Sequence, residues 1–473
     1  MKAKSTLLLA SLSLSTALLP VDAAATAPSS PGQIAPQNPP PAPGGAGQKT
    51  APLPVGTVAA NLIQQSRPPA SGVKAAAPKS PAINPPPSVK AALPPPPPPG
   101  LGIAKAGVHS VPLGNLESQE EAAFRDGKTI FLEVETPADG LGPIFNEVSC
   151  VACHFEGGAG GGSRTSVTRF GRVLNGVHDP LEGLGGPLLQ RKATRERLRE
   201  TIPVEANVVA HRITTPLFGA GLLEAITDET LRALASGPKP DGIQGRCAEI
   251  TDPISGQRRV GRFGWKAQHA TLDAFAADAY LNEMGITSAV FPVENAPNGK
   301  IQLLAGEDPT ADPEDVGSST ERADFIRTAD FMRLLAPVAR APRSGAAGLA
   351  ALAGERLFVE VGCAHCHTPT LNTGKSPIAA LSEKPVQAYS DLLLHDMGGL
   401  GDGLAQGAAG LREMRTAPLW GLRLRKVYLH DGRASTLELA INGHDGEARV
   451  ARERFGKLSP QSKEALLSFL RTL

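Results

Sequence analysis

The sequence predicts a mainly α-helical fold made of two tandem units behind a disordered proline-rich linker. Three observations predict it. Prolines concentrate in one N-terminal stretch, a five-residue cysteine–histidine motif occurs twice, and the residues flanking the two copies repeat.

The linker comes first in the argument. The chain has 473 residues with 44 prolines and 51 glycines, and residues 28–99 hold 22 of those prolines, ending in the run Pro94 to Pro99. Such a stretch lacks backbone donors and apolar side chains to bury, so it is expected to be extended and disordered. Ahead of it, Lys2 and Lys4 precede an apolar stretch from Leu7 to Leu19 and small residues at Ala23 to Ala25. This is the pattern of a cleaved secretory signal, and the stretch is too short for a stable membrane span. An uncleaved anchor is the alternative. The expected organisation is a signal peptide at 1–25, linker at 26–110, a first unit at 111–340 and a second at 341–473.

Charge excludes one class of function. Residues 23–116 carry six bases and no acid, whereas residues 117–473 carry 39 bases and 45 acids, a net of −6. A body so nearly balanced is not expected to bind nucleic acid.

The chemistry lies in the cysteines. Four of the five form Cys150-Val-Ala-Cys153-His154 and Cys363-Ala-His-Cys366-His367. Cys-x-x-Cys-His is the haem c attachment pattern. Two thiols one turn apart add to the two vinyl groups of one haem, and the adjoining His is held under the iron. A four-cysteine zinc site or disulfides are the rival readings, but each pair has its own His and the pairs stand 213 residues apart. The expected cofactors are two covalently bound haem c groups, with His154 and His367 as proximal iron ligands. Cys247 is left over and reads as a buried thiol.

The repeat sets the fold around each haem. Ile144-Phe-Asn-Glu-Val-Ser-Cys150 matches Leu357-Phe-Val-Glu-Val-Gly-Cys363, and Thr214-Thr-Pro-Leu-Phe-Gly219 echoes Thr416-Ala-Pro-Leu-Trp-Gly421. Helical patterns precede both motifs, over 120–131 and 346–361. Two cytochrome-c-like units, each with haem as much of its core, account for this. A last helix is expected from Ser459-Pro460, with Leu466, Phe469, Leu470 and Leu473 on one face.

Further phrases carry a resemblance. Gly261-Arg-Phe-Gly-Trp-Lys-Ala267, Leu281-Asn-Glu-Met-Gly-Ile-Thr287, Tyr389-Ser-Asp-Leu-Leu-Leu-His-Asp-Met-Gly398 and Leu429-His-Asp-Gly-Arg-Ala434 resemble the bacterial di-haem oxidoreductase family. This family is also called thiol-oxidoreductase-like and is related to the di-haem cytochrome c peroxidases. The resemblance covers about residues 115–473. It implies that one haem relays electrons and the other reduces a small oxidant such as hydrogen peroxide. The peroxidases carry a distal Met 14 residues after the His of a His-Asp-Gly phrase; here His444 stands 14 residues after His430. His367 and His444 are therefore the expected axial pair of the second haem, with Met397 and Met414 as rivals, and two imidazoles should lower its potential.

The distal side of the first haem stays open among His178, His211, His269, Met284 or no protein ligand. Glu224 and Trp265 are candidate catalytic residues, Glu224 as the acid–base group and Trp265 (or Trp420) as a relay between haems. Arg415 and Arg423 are candidate propionate partners, and His430, Asp431 and Arg433 are expected to organise propionates or the interface. The expected function is an exported, periplasmic di-haem oxidoreductase of peroxidase-like class. A non-catalytic electron-transfer cytochrome is the alternative. A small soluble electron-donor protein or another cytochrome is the expected partner, with a homodimer left open.

Overall fold

The computed structural model describes residues 109–473. The signal, the proline-rich linker and the six bases of residues 23–116 up to Lys105 lie outside the described residues. Nine α-helices run in order through the described chain: α1 Ser118–Leu132, α2 Ala220–Glu224, α3 Asp228–Ser236, α4 Leu272–Ala279, α5 Asp324–Leu334, α6 Gly345–Val361, α7 Leu437–Asn442, α8 Arg449–Lys457 and α9 Pro460–Leu470. Both helices expected before the Cys motifs are present as α1 and α6, and the expected last helix is α9, capped by the Ser459 hydroxyl, which accepts from the Ser462 amide.

Two helix crossings frame the two motifs. α1 leads to Cys150 and crosses α5 at Gly127, where an added Cβ would lie 2.0 Å from the Arg327 carbonyl oxygen. α6 leads to Cys363 and crosses α9 at Gly354, where an added Cβ would lie 1.9 Å from the Ala465 carbonyl oxygen. A glycine allows the backbones to touch, and aromatic rings fill the flanks: Phe124, Phe131 and Phe331 at the first crossing, Phe358, Tyr389 and Phe469 at the second.

The first half also holds strands that the sequence reading did not foresee. Ser166–Leu174 pairs antiparallel with Val177–Asp179, Leu188–Leu189 and Val208–Ile213. Smaller two-stranded pairs occur elsewhere, including Ala248–Thr251 with Arg258–Gly261 and Leu394–Asp396 with Glu413–Arg415. The helical content dominates, but between the first Cys motif and α2 there is no α-helix, and the regular structure is chiefly β. Among the described residues, no helix is long and apolar enough to cross a membrane.

Candidate haem sites

The second site is built at the end of α6. Gly362 caps the helix with φ 101°, and the turn Cys363–His365 follows at once, with the His367 amide donating to the Cys363 carbonyl (2.9 Å). His367 Nδ1 donates to the Tyr389 carbonyl at 2.9 Å. Across the cavity, α7 starts on the Thr436 cap and ends two residues before His444, whose Nδ1 donates to the Ala440 carbonyl at 2.8 Å. Both rings thus keep Nε2 free, and their orientation is fixed from behind.

Their centroids lie 6.4 Å apart. An imidazole nitrogen binds a metal ion at about 2.0–2.1 Å, so two rings on opposite faces of one ion have centroids roughly 6.4 Å apart. Burial pushes His367 down to about 4 and lowers His444 as well, which keeps both rings neutral, the ligating form. The cleft between them, together with its solvent-open mouth, has about 1320 Å³ of empty space and is walled by Phe358, Leu419, Leu422, Ile441, Leu466 and Leu470. Met397 and Met414 also line it, but the group standing opposite His367 is the His444 ring. Shape, apolar walls and two free nitrogens fit a haem.

The first site uses the same local plan. The Ser149 hydroxyl accepts from the Ala152 amide and opens the turn Cys150–Ala152. His154 Nδ1 donates to the Gly161 carbonyl at 3.1 Å, the Thr215 backbone also meets the ring, and burial pushes it down to about 4. All five cysteines are unpaired thiols, and burial raises Cys150 to about 12. The ring neighbour of His154 is Phe131 at 6.2 Å, not an imidazole.

The four distal candidates sit in other settings. His178 and His211 lie on the strands paired with Ser166–Leu174, and His211 Nδ1 meets the Thr168 hydroxyl at 3.3 Å. His269 is buried with Nε2 3.2 Å from Asp278, and Met284 is part of the hydrophobic core. Glu224 has both carboxylate oxygens engaged, one by the Leu272 amide (2.7 Å) and one by Arg333 (2.7 Å).

A set of charges that the sequence reading missed lies beside the first motif. Residues 280–284 form a π-helical turn, a feature common at functional sites. The Glu283 carbonyl accepts from the Asn146 and Glu147 amides, which ties this turn to the segment entering Cys150. The Glu283 carboxyl accepts from Asn146 Nδ2 at 2.9 Å; burial raises it, against the pull of Arg169. Asp278 is held below the usual range: burial opposes its charge, but His269, Arg169 and Asn282 outweigh it. Arg169 itself is lowered by burial and makes no hydrogen bond through its guanidinium among the described residues. The only available signal was the Leu281-Asn-Glu-Met-Gly phrase, where the acid is hidden among apolar neighbours.

Trp265 stands in the wall between the second site and a neighbouring cavity. It lines both the large cavity and a smaller one that includes Thr215, Pro216 and Phe275, and its indole donates to the Ile213 carbonyl at 2.8 Å. Trp420 lines the smaller cavity alone. Arg415 and Arg425 face both cavities. Arg415 donates only to carbonyls, of Gly264 and Thr416, and neither guanidinium has a carboxylate partner among the described residues. Burial pushes each down to about 10. Buried cations without counter-ions are costly, and porphyrin propionates would neutralise both. Arg423 instead donates to the Leu473 carbonyl at 2.9 Å. His430 lines the large cavity edge-on to Trp265, while Arg433 is spent on Asp431.

A family model described as "Di-haem oxidoreductase, putative peroxidase" matches residues 192–473. No curated protein matches the chain. Among solved structures, the chain is similar to hydrazine synthase of Kuenenia stuttgartiensis, at 15% identity over 79% of this chain and 95% of that one, with a TM-score of 0.35. It is similar to the dihaem peroxidase BthA of Burkholderia thailandensis E264, at 15% identity over 78% and 89%, TM-score 0.35. A MauG-like protein associated with microbial copper homeostasis shares 18% identity over 54% and 89%, TM-score 0.28.

Proposed function

The chain belongs to the di-haem oxidoreductase family, and on that premise we propose that it is an exported, periplasmic c-type cytochrome that reduces a small oxidant, hydrogen peroxide by default. Cys150 and Cys153 would carry one haem and Cys363 and Cys366 the other, through thioether bonds. His154 would ligate the first iron, and His367 with His444 the second. Haem supplies reversible one-electron transfer and, where a coordination position is open, a place for the oxidant to bind.

The protein's own residues divide the remaining work. Trp265 spans the wall between the two cavities and gives electrons a short aromatic route. Arg415 and Arg425 receive propionates from both sides. Reducing one hydrogen peroxide to two waters consumes two electrons and two protons. Burial raises Glu283 and so favours its protonated form, while Asp278 is held below the usual range. Two carboxyl groups pushed apart in this way suit an acid and a base. This assigns the acid–base role to Glu283 and not to Glu224, whose oxygens are already bonded. Two tandem units at 111–340 and 341–473, with a small soluble donor protein, complete the reading.

The observation that carries it is the asymmetry of the two sites. One imidazole faces another at the second, and His154 faces none at the first. Electronic and EPR spectra across a reductive titration test it. The expected result is one low-spin bis-imidazole haem and one haem with a high-spin form. Two wholly low-spin haems throughout would favour the pure electron carrier and overturn the enzymatic reading.

A further inference from the structure

His395 lies at the edge of the second cavity, buried to 2% exposure, and is not part of the ligand set. Its Nε2 lies 3.0 Å from Asp391 Oδ2 and its Nδ1 lies 2.7 Å from Glu447 Oε2. A neutral imidazole has one N–H and one lone pair, so it satisfies one of these carboxylates and turns a lone pair on the other. Only the imidazolium donates to both. Nδ1 is also 3.6 Å from Cys366 Sγ, one of the two haem-attachment sulfurs.

We propose that His395 is a permanent buried cation that raises the redox potential of the second haem above the value two imidazole ligands alone would set. This rests on reading that site as a bis-imidazole c-type haem. The sign follows from the arrangement of charge. Asp391 and Glu447 each carry one negative charge, and both are spent on donors behind them. Asp391 also meets Lys239 Nζ at 3.3 Å and the Leu393 amide at 3.0 Å. Glu447 takes the Gln244 and Gly245 amides at 3.1 and 3.2 Å and the Asp396 amide at 3.3 Å. The four side chains sum to zero, with the imidazolium as the positive end nearest the sulfur. A positive end next to the haem favours the iron state that carries one more electron. Second-shell hydrogen bonding of this kind is an established lever on haem potential.

The covering segment is shaped for this contact. Gly245 has φ 52°, and an added Cβ would lie 2.5 Å from His395 Cε1 and 2.7 Å from Lys239 Nζ. The titration of the ring agrees. Burial opposes its charge, but bonds to Asp391, Cys366 and Glu447 push it up to about 12.

The test is a redox titration of the full-length holoprotein and of its His395→Gln and His395→Lys variants. His395→Gln should make the second haem about tenfold harder to reduce, a fall of about 59 mV for one electron. His395→Lys restores the charge and should stay within about threefold of the parent, and the first haem should not move. A second haem unchanged by His395→Gln, or lowered as far by Lys as by Gln, would overturn the proposal. Should the Gln variant fail to load haem, the parent protein decides by itself. Ring ¹⁵N shifts in the reduced, diamagnetic state should show both His395 nitrogens protonated at neutral pH, and one bare nitrogen would refute the buried cation. The parent EPR spectrum, recorded first, tests the bis-imidazole reading separately.

Discussion

Asp402→Asn probes the most deeply buried ion network among the described residues. Asp402 is wholly buried, as is Lys266, and Arg212 is 4% exposed. Arg212 Nε donates to Asp402 at 2.7 Å, and Lys266 Nζ lies 3.0 Å from its other oxygen. The carboxylate thus joins three segments: the strand Val208–Ile213, the residue next to Trp265, and the loop leading to Glu413–Arg415. Replacing it with an amide leaves two buried cations without a counter-charge, a change that costs about 3–5 kcal/mol. At about 2 °C per kcal/mol, the low end for large domains, the unfolding midpoint should drop by roughly 6–10 °C. The defect should also depend on pH. Lys266 is already pushed down to about 8, burial outweighing the pull of Asp402. In the variant it discharges at lower pH still, whereas in the parent it discharges only above about 8. The difference between them should therefore shrink from pH 7 to pH 9. Thermal unfolding followed by far-UV circular dichroism and Soret absorbance measures both effects. A midpoint drop under about 2 °C at pH 7, or a defect that grows with pH, would refute the reasoning.

Glu283→Gln should slow peroxide turnover by about 10²–10⁴-fold while leaving both haem spectra intact, as loss of a positioned proton donor does; steady-state peroxide assays check it, and unchanged turnover removes Glu283 from the mechanism. His444→Met should give the second haem a sulfur-to-iron charge-transfer band and a higher potential, since a thioether favours Fe(II); a spectrum identical to the parent would show that His444 is not a ligand. Glu294→Gln should raise the unfolding midpoint increasingly as pH rises. Burial and Glu314 push Glu294 up to about 9, and burial pushes Glu314 up to about 8. Groups raised in the fold destabilise it only once they must ionise. The gain should be near zero at pH 4.5 and largest near pH 9, and a gain that is independent of pH would contradict this.

The sequence made the local parts legible and the assembled parts illegible. α1, α6 and α9 were readable because capping residues and apolar spacing are local, and the two Cys motifs because thioether chemistry dictates their spacing. His444 was chosen from the family resemblance, by its place 14 residues after His430, across a stretch whose only α-helix is the short α7. The strands around Ser166–Leu174 were missed because Arg169, Arg172 and Asp179 interrupt the alternation that marks a strand. Of these, Arg169 is drawn inward beside Asp278 and Glu283, whereas Arg172 and Asp179 pair on the surface. Glu224 was chosen from its position in the repeat. Its oxygens are taken by Arg333 and the Leu272 amide, partners 109 and 48 residues away that no local pattern discloses. Arg425 was passed over for Arg423 because only the fold shows which of two neighbouring arginines faces the cavities.

The repeat also explains why the two sites differ. Thr230 to Pro238 aligns with Thr436 to His444, so that Thr-Leu opens both segments and Gly237 matches Gly443. α3 ends at Ser236 and α7 at Asn442, each just before that glycine. The next residue is His444 in the later segment and Pro238 in the earlier one. Proline has no donor atom for iron, and its ring fixes the chain in an extended turn. On the proposed reading of two repeated haem sites, the first cannot take a distal ligand from the position that the second uses. The groups beside the first motif are Arg169, Asp278 and Glu283. These are charges suited to moving protons, not neutral nitrogens suited to binding iron. On the function proposed above, this single position would leave one site closed by imidazole and the other to proton chemistry, the division of labour that a peroxidase-like enzyme needs.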